Sequence, residues 1–247
     1  MKIKNIIITS CCLVVCFSVT PCCSFAAEAV DGIIEPSVTV KFGTNSTGII
    51  KKVYVDRGDF IKKNQIIVAL ESGVEAAMVQ QIQELLALAR RKQNRSQELA
   101  QKDLISKQEI DEIETDVRQL EAQLHEAKAR LKLKDIRSTI DGIVTERFLY
   151  AGEYAGETTP VLQAAAIDHL HVEIIAPIRL YNQIQEGMPV RILPEDPVGG
   201  SYAGTVTLVD KVMDAASGTF GARILLPNPD HRIPAGIKCT VQLMGEE

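Results

Sequence analysis

The stretch GIIKKVYVDRGDF at residues 48–60 returns as GIVTERFLYAGEY at residues 142–154, with aligned glycines and a similar order of apolar residues. β-Branched and aromatic residues favour strands, and a glycine after a strand adopts at little cost the positive φ that reverses the chain. Each copy therefore predicts two short strands around a turn. The structural turn glycines predicted from the repeat are Gly48, Gly58, Gly142 and Gly152.

Neither copy of the repeat has enough residues to close a hydrophobic core by itself. A further strand-like segment follows each copy, Gln65–Leu70 after the first and Pro160–Gln163 after the second. Two such halves packed face to face would bury one face of each. We therefore predict that the copies are complementary parts of one β-domain, separated in the chain by an insertion.

The insertion, residues 74–134, contains neither Gly nor Pro and is rich in strong helix formers. Alternating spacings of three and four predict a heptad seam in each half. The seam residues are Met78, Ile82, Leu85, Ala89, Lys92, Ser96 and Leu99 in the first half, and Ile110, Ile113, Val117, Leu120, Leu124, Ala127 and Leu131 in the second. We predict an antiparallel coiled-coil hairpin, connected at residues 101–105, with Ser106 and Glu109 forming a capping box.

The N-terminal residues 1–26 have the pattern of a cleavable signal peptide. Lys2 and Lys4 precede an apolar stretch that is too short to span a bilayer, and small residues precede the expected cleavage after Ala26. Five of the six cysteines lie in this segment, so export would leave Cys239 alone, as a small buried hydrophobe. We expect no lipidation, because no small residue stands directly before Cys16, Cys22 or Cys23.

Composition and motifs exclude several classes of function. A formal net charge of −5 and the absence of Trp argue against nucleic-acid binding. No nucleophile–base pair and no phosphate-binding glycine loop is present, so we expect no enzyme activity and no cofactor. The four histidines, His125, His169, His171 and His231, do not form a ligand cluster, so we expect no metal site.

The order of half-motif, helical insertion, half-motif and β-rich segment resembles the membrane fusion proteins, the HlyD-like periplasmic adaptor subunits of bacterial efflux pumps. The segments Leu225–Asp230 and Ile233–Ile237 are similar to that family's barrel domain. The resemblance implies an α+β fold, mainly β with one long α-helical hairpin. It comprises a split lipoyl-like β-sandwich (31–72 and 135–168), an antiparallel coiled-coil hairpin (73–134) and a β-barrel domain (169–245). The expected barrel strands are Leu170–Ile175, Val190–Leu193, Thr205–Val209, Arg223–Leu226 and Thr240–Leu243.

The expected hairpin tip carries a sharper resemblance. Many family members that dock onto outer-membrane ducts have Arg, then Leu four residues later, then Ser seven further, which here are Arg95, Leu99 and Ser106. The surrounding sequence, including Leu104, is also similar to the family's tip. The resemblance implies that these four residues contact the helical barrel of the duct. Ser106 would also cap its helix. A lipoyl carrier role is not expected, because the helices replace the turn that bears the modified lysine.

The resemblance implies a periplasmic adaptor that links an inner-membrane transporter, first of all an RND-type efflux pump, to an outer-membrane channel protein. It also implies a homo-oligomer arranged as a hexameric ring, associated with the inner membrane through its partners. The chain ends soon after the barrel segment, so we expect a short adaptor without the membrane-proximal domain of larger relatives. The alternative is a periplasmic scaffold or secretion-complex component with the same fold and no drug-efflux role.

Overall fold

The computed structural model describes residues 28–244, so the predicted signal peptide and its five cysteines lie outside the described residues. The described part is mainly β with one long helical hairpin, as predicted. The elements in chain order are β1 (Ala29–Gly43), β2 (Gly48–Val53), β3 (Phe60–Ile61), β4 (Ile66–Leu70), α1 (Gly73–Ala100), α2 (Lys107–Lys132), β5 (Asp135–Arg137), β6 (Gly142–Arg147), β7 (Tyr154–Ala155), β8 (Pro160–Pro177), β9 (Pro189–Pro194), β10 (Tyr202–Val209), β11 (Thr219–Pro227) and β12 (Ile237–Leu243). A short 3-10 turn, Ile178–Leu180, follows β8.

The two copies of the repeat exchange strands to form one β-sandwich, which confirms the prediction of a single split domain. β2 of the first copy pairs with β7 of the second, and β6 of the second pairs with β3 of the first. Matching turn bonds tie the copies together: Gly58 N–H donates to Val144 O at 2.9 Å, and Gly152 N–H donates to Ile50 O at 2.8 Å. Each half therefore completes the other's sheet and core.

The four repeat glycines divide into two kinds. Gly58 and Gly152 have φ of +93° and +91°, the left-handed region where glycine is favoured. Gly48 and Gly142, predicted as turn glycines, instead begin strands β2 and β6. Gly142 is constrained by space, since a Cβ there would lie 2.2 Å from the carbonyl oxygen of Ala165. Its alignment with a glycine in the other copy cannot reveal this crowding, which comes from β8.

A closed antiparallel barrel forms the second β unit. Its strands follow the order β1, β12, β9, β10, β11 and β8, and β8 pairs with β1 to close the ring. All five predicted barrel segments lie within β8–β12. Alternating inward residues fill the interior, including the fully buried Ile34, Leu170, Ile174, Ile192, Ile224 and Leu226.

Strands β1 and β8 run through both β units, which corrects the predicted domain boundaries. The first half of β1 lies in the barrel, where Val30 and Ile34 are buried, while Phe42 belongs to the sandwich core. The two strands stay paired from one unit into the other, with an irregularity between Pro36 and Val38. A boundary at Asp31 or His169 therefore falls inside a continuous strand, because 15 and 18 residues are long enough to span two units.

The helical hairpin forms as predicted, but its seam on α1 differs. The α2 seam is correct, with Ile113, Val117 and Ala127 buried. The residues that α1 buries are Val79, Ile82, Leu86 and Ser96. The predicted seam is therefore right at Ile82 and Ser96, and wrong at its exposed members Met78, Leu85, Lys92 and Leu99. Apolar neighbours at 78–79 and 85–86 satisfy a three–four spacing equally well, so spacing alone could not choose between them.

Candidate functional site

The hairpin tip is a tight turn that holds an apolar side chain out into solvent. Asp103 adopts a positive φ of +56°, and the N–H of Leu104 donates to the carbonyl oxygen of Leu99 at 3.0 Å. This closure leaves the Leu104 side chain 68% exposed. Because a backbone hydrogen bond holds this turn, the exposed side chain of Leu104 offers an apolar surface to a partner.

Arg95 and Leu99 stand one helical turn apart on α1, so they lie on the same side of the helix. Both side chains are exposed, and within residues 28–244 Arg95 forms no ion pair. The turn bond joins the backbones of Leu99 and Leu104. Three of the four predicted tip residues thus offer one guanidinium and two leucines near the free end of the hairpin. A guanidinium can donate to carbonyl or carboxylate oxygens, while leucines fill grooves between helices.

Ser106 has a different function within the chain. Its hydroxyl oxygen accepts a hydrogen bond from the N–H of Glu109 at 3.2 Å, at the N-terminus of α2. This is the Ser106 half of the predicted capping box. Through this bond the side chain contributes to the geometry of the tip.

The hairpin base contains a structural contact that sequence reasoning missed. Lys134 is buried, its Nζ lies 3.1 Å from Glu75 Oε1, and it donates to the carbonyl oxygen of Thr47 at 3.1 Å. One side chain thereby joins α1, the end of α2 and the entry to β2. A lysine after a basic helix end has no sequence signal for burial, because lysine is usually exposed.

The environment of Glu75 fits this anchoring role. The backbone N–H of Glu75 itself, and then the hydrogen bond from Lys134, hold the pKa of the Glu75 carboxyl below its ordinary value. The position of Glu75 in the first turn of α1 is also one where helix N–H groups favour a negative charge. The base of the hairpin is therefore fixed by charge and hydrogen bonding, in contrast to its exposed tip.

The barrel histidines His169 and His171 lie in different environments. His169 Nδ1 lies 2.9 Å from Asp168 Oδ2, while burial and then nearby Arg223 lower the pKa of His171. Among the residues that the structure describes, no three His, Cys, Asp or Glu side chains are grouped to hold a metal ion. None of the helices in residues 28–244 is both long enough and apolar enough to cross a membrane.

Comparison with known families matches both units that surround the sandwich. The model of the RND MFP alpha-helical hairpin domain matches residues 74–136, and that of the CusB-like beta-barrel domain matches residues 170–247. Together the two matched segments cover more than half of the chain. The chain belongs to the membrane fusion protein family. Members of this family are adaptor proteins rather than enzymes, and they are periplasmic.

Several curated proteins are similar to this chain in sequence, and two of those named here are efflux-pump proteins. An uncharacterised protein of Haemophilus influenzae is 21% identical over 207 residues, covering 83% of this chain and 54% of the relative. The antibiotic efflux pump periplasmic linker protein ArpA of Pseudomonas putida is 23% identical, covering 77% and 55%. The multidrug efflux pump subunit AcrA of Escherichia coli K12 is 26% identical, covering 58% and 42%. The chain spans about half the length of the curated relatives it matches.

Solved structures show the same fold. A MacA–MexA chimera carrying the α-hairpin domain of Pseudomonas aeruginosa MexA superposes with a TM-score of 0.75 at 22% identity, covering 88% of this chain and 79% of the chimera. The membrane fusion protein Spr0693 of Streptococcus pneumoniae R6 gives 0.71 at 14% identity, covering 89% and 100%. These likenesses support the architecture of sandwich, hairpin and barrel.

Proposed function

We propose that this chain is a periplasmic adaptor that links an inner-membrane transporter, first of all an RND-type efflux pump, to an outer-membrane exit duct. The observation that carries the proposal is the tip: Arg95, Leu99 and Leu104 lie exposed near the end of a hairpin anchored at its base. A helix of 28 residues reaches about 42 Å at 1.5 Å per residue. The hairpin thus holds a docking surface well away from the β units.

The proposed mechanism is assembly without chemistry. The leucines of the tip enter grooves between duct helices, Arg95 donates to oxygens on their surface, and Ser106 holds the turn in shape. Several copies form a ring, six by resemblance to the family, so contacts that are weak singly gain effective concentration together. The ring seals the path between pump and duct. A cleavable signal peptide directs the chain to the periplasm. The chain is held at the inner membrane by its partners, without lipidation.

The proposal is tested by crosslinking in cells. A photo-crosslinking amino acid at Leu104 should capture an outer-membrane duct protein, and Arg95→Glu should reduce that capture at least about ten-fold, as expected when a charge-assisted contact becomes repulsive. The matched control is Arg118→Glu, which reverses an exposed arginine on α2 that bonds Thr115 inside the chain. The control should retain capture, and both variants should keep the wild-type circular dichroism spectrum.

Two outcomes would contradict this function. Capture that is lost equally in both variants would show that the overall charge of the hairpin matters rather than the tip. A Leu104 probe that captures no duct protein in cells producing one would favour the alternative, a periplasmic scaffold or secretion-complex component with the same fold.

A further inference from the structure

A concave apolar groove lies where the β-sandwich meets the β-barrel. Its volume is about 470 Å³, within the range of about 300–1,000 Å³ that is usual for pockets that bind small organic molecules. Strands β3, β6 and β8 supply most of one wall, and the loop between β11 and β12, residues 228–236, supplies most of the other. We call this the junction groove. A molecule bound in it would touch both β units.

The lining of the junction groove is uncharged at every acidic and basic position. Among the residues that the structure describes, none of those lining it is Lys, Arg, Asp or Glu. Apolar side chains of both units line it instead, including Ile143, Ile167 and Pro234. The hydroxyl of Thr145, which also lines the groove, already donates to the carbonyl oxygen of Gln163 at 3.2 Å. Because an ionised group buried here would lack a partner of opposite charge, the groove favours a neutral and mainly apolar ligand.

Two aromatic rings give the groove a flat side. The ring centroids of Phe60 and His231 lie 5.2 Å apart with an interplanar angle of 42°, and Phe60 is 58% exposed. Phe60 belongs to the sandwich, whereas His231 belongs to the barrel loop. Rings of this kind bind other aromatic rings by offset stacking or edge-to-face contact. A nitrogen of the His231 ring can add one hydrogen bond.

The backbone of His231 has a conformation that glycine adopts more easily. Its φ is +52°, in the left-handed region where a Cβ is unfavourable. The loop therefore presents an imidazole ring at the groove from a strained position. Strained residues that the surrounding structure holds in place are concentrated at binding sites.

Asn228 holds the two walls of the groove together. Its buried amide donates to the carbonyl oxygen of Ile167 on one wall at 2.8 Å and to that of Ile233 on the other at 3.0 Å. The N–H of His231 donates to the carbonyl oxygen of Asn228 at 3.0 Å. These bonds form the groove before any ligand arrives, which lowers the entropic cost of binding.

We propose that the junction groove binds a neutral aromatic molecule of a few rings. The molecule packs against the rings of Phe60 and His231 and against apolar side chains of both β units. This binding site goes beyond the proposed adaptor function, because it lies far from the tip and requires neither a pump nor a duct.

The internal repeat supplies a matched control for Phe60. Phe60 pairs with Ile143, and the equivalent residue of the second copy, Tyr154, pairs with Ile49. Tyr154 is 64% exposed, much like Phe60, but it does not line the groove. The two aromatic residues thus share their local strand pairing, and only Phe60 contacts the ring of His231.

Fluorescent dyes test the site on the purified chain. The neutral dye phenylnaphthylamine should bind saturably, and Phe60→Ala should raise its Kd about five-fold, while Tyr154→Ala should leave the Kd within about two-fold. Anilinonaphthalene sulfonate, which adds an anionic group to the same rings, should bind at least about five-fold more weakly than the neutral dye. Equal losses in the two variants, or equal affinity for the two dyes, would overturn the proposal.

His231→Gly separates binding from folding. It relieves the positive φ, so the variant should keep or exceed the wild-type Tm, but loss of the ring should raise the Kd of the neutral dye at least about three-fold. An unchanged Kd would overturn the proposal. So would sedimentation velocity in which Phe60→Ala weakens self-association while the neutral dye fails to bind, since a second copy would then cover the groove. These measurements use no duct, so their failure is separate from failure of the Leu104 capture in cells.

Discussion

At the scale of single residues, the two copies of the repeat place glycine at equivalent positions for different reasons. Gly142 packs against the backbone of β8, where an added Cβ would lie 2.2 Å from the Ala165 carbonyl oxygen. The nearest atom to a Cβ at Gly48 would be Lys134 Nζ at 3.7 Å, an ordinary contact distance. The difference arises because β6 pairs with β8, whereas β2 pairs with β4 and β7.

This difference predicts opposite tolerance at the two glycines. Gly142→Ala should lower the free energy of unfolding by about 2 kcal/mol, because a crowded backbone must shift to admit the methyl group. Gly48→Ala should change it by less than about 0.5 kcal/mol. Urea unfolding followed by far-UV circular dichroism measures both. Similar losses in the two variants would show that the crowding at Ala165 is relieved at little cost.

Asn228 is a further residue whose role only the structure reveals. Its buried amide donates to the carbonyl oxygens of Ile167 and Ile233 at 2.8 and 3.0 Å, and its Oδ1 accepts from the N–H of Ile233. It thereby fastens the loop after β11 to the irregular part of β8 between the two β units. The resemblance to the family's barrel points to this segment, but the pattern of bonds depends on strands far away in sequence.

At the scale of elements, the sequence predicts where the two helices of the hairpin begin and end and which residue caps α2. It predicts only part of the set of residues that the helices bury against each other. Residues 74–134 contain neither Gly nor Pro, which predicts the helices, and Ser106 with Glu109 three residues later marks the start of the second helix. Together these two signals locate both helices and the tip between them. The predicted seam of α1 was wrong at Met78, Leu85, Lys92 and Leu99, which form an exposed row one position away from the buried one. Rows of residues one position apart have the same spacing of three and four. Only the contact with α2 shows which row is buried.

Ser106 permits a test that separates capping from direct docking. Ser106→Ala removes the acceptor for the Glu109 N–H and should destabilise the start of α2 by about 1 kcal/mol. Ser106→Asp should retain the cap, since a carboxylate also accepts that bond and suits a helix N-terminus. Hydrogen exchange of the first turn of α2 measures the cap, and Leu104 capture of the duct measures docking. Loss of capture in the Asp variant with a protected first turn would assign Ser106 a direct contact.

The hairpin base predicts a dependence on pH. The folded pKa of Glu75 lies below its ordinary value of 4.5, so its contribution to stability is present above that value and is lost as pH falls through the folded pKa. Glu75→Gln should remove this dependence while keeping a polar partner for Lys134. Hydrogen exchange at the start of α1, between about pH 3 and pH 7, checks it.

The matched control for this titration is Glu98→Gln, near the other end of α1 and exposed. It should leave the pH dependence at the base unchanged. If wild type and Glu75→Gln lose protection in parallel as the pH falls, another carboxylate is responsible for the acid sensitivity of the hairpin.

At the scale of the whole molecule, the internal repeat predicted that two distant segments of the chain fold into one β-domain. Each half lacks a hydrophobic core of its own and requires the other. The sharing of β1 and β8 was not predictable in the same way. A long strand that passes from one core to another continues as one extended segment, so sequence places a domain boundary where composition changes. The consequence is mechanical, since two continuous strands join the sandwich to the barrel.

This continuity predicts that damage to the sandwich will open the barrel. Burial raises the pKa of the Cys239 thiol to about 11, so it should react with a thiol reagent only when the barrel unfolds. In a chain starting at Ala27, Cys239 is the one cysteine in the sequence. Gly142→Ala should raise its labelling rate about 30-fold, the factor that corresponds to about 2 kcal/mol, because β8 carries the strain from one unit to the other. Ser106→Ala, which acts at the distant tip, should leave the rate within about two-fold. A sandwich that melts in Gly142→Ala while Cys239 stays protected would show that the two β units unfold independently in spite of their common strands.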